Sequence, residues 1–129
     1  MNAIEKGIYD ALIADTALVA ELVDGTAVYN QIAEQGKALP YVVFFYAGGG
    51  PTNDTPSDTR NYVYAVKGIA DESKKAGTIR DKIEDVLHRQ TLTVAGYTNL
   101  MTFCEGEISL VETQANGANV FHRGNYTGF

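Results

Sequence analysis

Apolar residues at Ile4, Ile8, Ala11 and Leu12 follow an i, i+4, i+7, i+8 spacing that gathers them on one helical face and predicts a helix over residues 3–14. Asp15 or Thr16 is suited to N-cap a second, short helix. Leu18, Val19, Leu22 and Val23 repeat the helical spacing there until Gly25 permits a left-handed stop. From Thr26 the pattern changes. TAVYNQI is rich in β-branched and aromatic residues, and YVVFFY (41–46) is an apolar run too short for a typical helix, bounded by Pro and Gly. Both read as strands. YVVFFY does not alternate with polar residues, which predicts cover on both faces, one by helices and the other by a loop or a neighbouring subunit.

NYVYAVKGI (61–69) alternates, with Tyr62, Tyr64 and Val66 on one face and Val63, Ala65 and Lys67 on the other, and pairs with YVVFFY across a loop from 48 to 60. Helical spacing returns in DESKKAGTIRDKIEDVLHR, where Ala76, Ile79, Ile83, Val86 and Leu87 share a side. Gly77 within that helix costs about 1 kcal/mol against Ala, which predicts close packing of helix on sheet at that point. TLTVAGY, LMTFCEGEISLVETQ and NVFHRGNYTGF read as further strands, with a turn at Asn116-Gly117. Strand runs set between helices, with hairpin-length connections, predict an α+β fold: a mostly antiparallel sheet with helices packed on one face. The expected organisation is one domain over residues 1–129, without internal repeat or linker.

Composition narrows the function. The chain is 45% hydrophobic and 20% charged, as in ordinary soluble proteins, and has no apolar run long enough to span a bilayer. Acidic residues interrupt the apolar N-terminal stretch, which does not read as a signal peptide, so a cytoplasmic site of synthesis is expected. Cys104 is the only cysteine, excluding an intramolecular disulfide and a thiolate-rich metal site. A net charge of -6 argues against gripping nucleic acid by its phosphates.

Candidate chemistry is weak throughout. GGGPTNDTPSD follows a strand, as phosphate cradles do, but it has no Lys, carries two prolines and leads into another strand. It reads instead as a long loop with glycines at positive φ, and Gly48, Gly49, Gly50, Asn53, Asp54 and Asp58 are its candidate partner contacts. His88 and His122 lie in different elements with no third ligand; no metal or cofactor is expected. His88 reads as a favourable partial charge at a helix C-terminus. Glu105 and Glu107 have the spacing of a carboxylate pair, but the intervening Gly106 suggests a bulge or turn, and an exposed acidic pair is the better reading. Ser109 and Cys104 lack the setting of a nucleophile.

The segment from Ile8 to Phe44, with its phrases ADTALVAELVDG, VY and ALPYVVF, and the later AGTIRDKIEDVL, resembles the tail-completion family of tailed bacteriophages, which includes tail terminators and tail-to-head joining proteins. The resemblance covers nearly the whole chain and implies a structural virion protein without catalysis. It further implies a ring, commonly a hexamer, at the head-proximal end of the tail tube, stopping tube growth and meeting the head connector. The implied partners are copies of the chain, the tube protein and the connector, with DNA passing through unbound and no membrane involved. The implied location is the tail or neck of the virion, assembled in the host cytoplasm. On that reading the 48–59 loop is a contact arm, and some of Asp54, Asp58, Glu105, Glu107 and Glu112 line the channel, where acidic groups repel phosphates. A head-closure or minor tail subunit is the alternative, with a small-ligand binder or enzyme behind it.

Overall fold

The structure, a computed structural model, describes residues 2–33, 38–51, 60–98, 101–114 and 117–129. Helices α1 (Asn2–Ala14), α2 (Thr16–Val19) and α3 (Ser73–Leu87) accompany a five-stranded sheet of order β1-β2-β3-β7-β6. Its strands are β1 (Val28–Asn30), β2 (Tyr41–Pro51), β3 (Arg60–Ala70), β6 (Phe103–Thr113) and β7 (Asn119–Gly128). β1 runs parallel to β2, and every other pairing in this sheet is antiparallel. The expected α+β architecture is therefore present. TLTVAGY forms a separate small hairpin of β4 (Thr93–Val94) and β5 (Tyr97–Thr98) rather than one strand.

The helices cover one face of the sheet. Ile8 and Leu12 of α1, Leu18 of α2, and Ile79, Ile83 and Leu87 of α3 are fully buried against Val42, Phe44, Tyr64 and Val66. Each such side chain contributes roughly 1.5–3 kcal/mol through burial. Asp15 is the cap of α2, its carboxylate accepting from the Leu18 amide at 2.9 Å. The helix stops at Val19, earlier than the spacing predicts. Glu21 and Leu22 bond back three residues, to Leu18 and Val19, so the chain tightens into turns.

The opposite face carries a smaller cluster of Val43, Ile69 and Val120, packed with Tyr29, Ala33, Leu39, Tyr41 and Phe45. Two of these, Ala33 and Leu39, belong to the β1–β2 connection. Parallel neighbours require a crossover, and here it supplies part of the second cover predicted for YVVFFY, the loop of the two alternatives. Helix and sheet do approach closely, but the glycine responsible is Gly68 in β3. A Cβ there would lie 2.3 Å from Ile79 Cγ2, whereas one on Gly77 meets only Arg123 atoms at 3.7 Å or more.

Candidate functional site

The glycine run GGG, expected to open a loop, continues β2 to Pro51. Gly48 pairs with Val63, Gly49 with Tyr62, Gly50 with Asn61, and Pro51 with Arg60. The register shift between Tyr46 and Gly48 inserts Ala47 as a bulge, which bends the strand and lets pairing resume. β1 pairs only with Val42–Phe44, and on the other side the chain bonds β3 no further than Tyr62, through the Phe129 backbone, so the paired ends Gly50–Pro51 and Arg60–Asn61 project as an arm past both neighbouring strands. Gly49 can be nothing else. Its φ is +96°, and a Cβ would sit 2.0 Å from the Asn61 carbonyl oxygen.

Aromatic residues brace the arm's root. Tyr46 meets Tyr62 and Tyr64 edge-on at 6.2 and 5.8 Å, Tyr64 meets Phe129 at 5.9 Å, and the Tyr46 hydroxyl donates to the Gly49 carbonyl at 2.6 Å. The Tyr64 hydroxyl donates to Glu5 of α1 at 3.2 Å, and burial, reinforced by that carboxylate, pushes its pKa up. Asn53, Asp54 and Asp58 lie outside the described residues.

The three glutamates of β6 are not brought together. A bulge between Cys104 and Gly106 leaves Glu105 out of the ladder. Its carboxylate lies where a Cβ on Gly128 would point, on the face away from the helices, while Glu107 turns to the helical face and pairs with Arg80 of α3. The bulge, which falls on Glu105 beside Gly106, puts the two carboxylates on opposite faces of the sheet. Glu112 returns to the helix-free face, where its carboxylate bonds His122 Nε2 at 3.1 Å.

Around Glu112 the sheet gathers a polar group that local sequence does not announce. His122, whose side chain is 12% exposed, is held below its ordinary pKa by burial and by Lys67, against the pull of Glu112. Burial also lowers the pKa of Lys67, whose ammonium stands 5.4 Å from the Phe45 ring centre. Burial raises that of Tyr41, with Glu112 and Tyr29 adding to the effect. Above its lowered pKa His122 is neutral and Nε2–H donates to Glu112. Nδ1 has no partner among the described residues, as suits an unprotonated nitrogen.

His88 has a task other than the helix-end charge that its position suggests: its Nδ1 accepts the Cys104 amide at 3.0 Å, tying the end of α3 to the start of β6. Burial raises the Cys104 thiol pKa, the opposite of what activates a nucleophile. Between α3 and strands β6 and β7 runs an open groove lined by Lys74, Arg80, Asp81, Glu107, Ser109 and Arg123, in which both acids pair with Arg80. Among the described residues no His, Cys, Asp or Glu cluster has metal-binding geometry, and no helix is long and apolar enough to cross a membrane.

Among the described residues the features that stand out are a projecting arm and an acidic outer strand. The family model for tail completion protein gp17 matches residues 6–117, and the chain belongs to that family. It is a structural bacteriophage protein of tail completion rather than an enzyme. No curated protein sequence matches. Among solved structures, a chain from the virion of a native gene transfer agent particle is similar over 98% of this chain and 93% of its own, with a TM-score of 0.74 and 18% identity. That likeness is one of fold.

Proposed function

We propose that copies of this chain form a ring, of six subunits, at the head-proximal end of the tail tube, where the ring ends tube growth and joins the tail to the head connector. The observation that carries this reading is the family match over residues 6–117; the gene transfer agent chain, itself part of a virion, supports it. In this ring the β2–β3 arm, including Gly48, Gly49 and Gly50 and the loop positions Asn53, Asp54 and Asp58, docks onto the tube, the connector or the next subunit. Glu105 and Glu112, on the helix-free face, line the channel together with Asp54 and Asp58. Glu107 contributes less, because Arg80 already balances it. The lining repels DNA phosphates and lets the duplex pass.

The test is electron microscopy of tail tubes grown with and without the purified protein. A ring at one tube end, with tubes of defined length, is the expected result. Tubes that grow to the same lengths in both cases would overturn the terminator reading.

A further inference from the structure

Strand β6 is the outer strand of the sheet, and its two halves are treated differently. At its beginning the outward side is occupied: the Cys104 amide donates to His88, the Thr102 amide donates to the Gln90 carbonyl at 2.9 Å, and the Thr102 carbonyl accepts from Arg89 at 2.7 Å. Further along, no hydrogen bond from the described residues occupies it. The Gln114 amide donates to the Ala118 carbonyl at 2.8 Å, which sets the phase of the ladder. By alternation, Glu112, Leu110 and Ile108 exchange bonds with β7, while Thr113, Val111, Ser109 and Glu107 turn their backbone N–H and C=O groups outward. Leu110 and Val111 are 54% and 61% exposed there.

The other edges are guarded. β1 has three residues, and its outward Val28 amide and Asn30 carbonyl are bonded locally to Thr26 and Ile32. The free side of the β2 arm has a bulge, a proline without N–H, and a Gly49 carbonyl already bonded to Tyr46. Among the described residues one long edge, that of β6, is open.

We infer that this edge pairs with the same edge of a second copy, β6 against β6, antiparallel about a two-fold axis through Leu110. Outward residues must face outward residues. Glu107 points out and Glu112 points in, so no allowed register sets one against the other. The axis through Leu110 uses the whole bare stretch: Leu110 meets its copy, Val111 meets Ser109, Glu107 meets Thr113, and Glu112 meets Ile108. No acid faces an acid, and the two exposed apolar side chains are covered. Such a contact is isologous, whereas ring neighbours meet head to tail, so the pair is a state of the free protein distinct from the proposed ring contact.

The test uses the full chain in a Cys104→Ser background. Leu110→Cys sits on the axis and forms a disulfide-linked dimer under mild oxidation, whereas Ile108→Cys, facing Glu112, does not. Val111→Pro removes an outward N–H without breaking the β6–β7 ladder, and it weakens dimerisation at least about tenfold in sedimentation while circular dichroism stays that of the parent. A parent protein that is monomeric up to its solubility limit would overturn the inference. So would equal crosslinking by both cysteine variants, or a dimer indifferent to a folded Val111→Pro.

Discussion

At Gly68 a hydrogen is all that fits between β3 and Ile79. Gly68→Ala overpacks that contact and lowers unfolding free energy by about 1–3 kcal/mol. Gly77→Ala, whose added methyl meets only Arg123 at ordinary van der Waals distance, stabilises by up to about 1 kcal/mol through helix propensity. Chemical denaturation of the two variants checks both signs. Sequence alone reverses this ranking: a glycine in a helix signals a penalty that packing must justify, while a glycine in a strand is easily passed over.

His122 makes the residue scale sensitive to pH. Its folded pKa lies below the ordinary value of 6.5, so between those two values the unfolded chain binds a proton that the fold refuses. This contribution is complete above about pH 6.5 and is lost as pH falls through the window toward the folded pKa. The parent should therefore lose stability on acidification that His122→Gln does not lose, as read by urea unfolding at pH 7.5 and 5.5. An equal loss in both would show that His122 titrates alike in folded and unfolded chains. The pairing of His122 with Lys67 and Glu112 was not legible in the sequence. The three lie on three different strands, and only register makes them neighbours.

Among the elements, those with a local signature were the readable ones. The 3.6-residue spacing marked α1 and α3, and alternation marked β3 face by face, with Tyr62, Tyr64 and Val66 buried against the helices. The β2 arm looks shorter in the sequence than it is, because glycine carries no side-chain pattern. What keeps Gly48–Pro51 extended is the ladder to β3 and the bulge that resets it, and both are properties of two segments rather than one. Replacing residues 51–60 by Asn-Gly across the Gly50↔Asn61 pair should leave the melting temperature within a few degrees of the parent, because the core lies below the arm. The same variant should fail to cap tail tubes. Normal capping would remove the arm from the docking surface. Asp15→Ala, which takes the cap from α2, costs about 1 kcal/mol on a denaturation curve.

For the whole molecule, composition set limits and the family phrases carried the role. The acidic balance argues against a grip on nucleic acid and the single cysteine excludes an intramolecular disulfide, while tail completion rests on the family match over residues 6–117. With a net charge of -6 the protein should show no retention on a DNA column near physiological salt, and tight retention would contradict a passive channel. Strand order was out of reach of the sequence. Nothing local says that β7 inserts between β3 and β6, or that β1 lies parallel to β2.

That insertion has a consequence for the growing chain. β3 emerges early in synthesis, yet the neighbour that completes it, from Ala70↔Phe121 to Val63↔Gly128, is the last strand of the sheet to be made. Until then the ribosome holds a half-built sheet with one flank of its central strand bare and part of the seat of α3 missing. In a cell making many virion proteins at once, that interval is when the nascent chain is most open to adhesive contacts and has most need of chaperone cover.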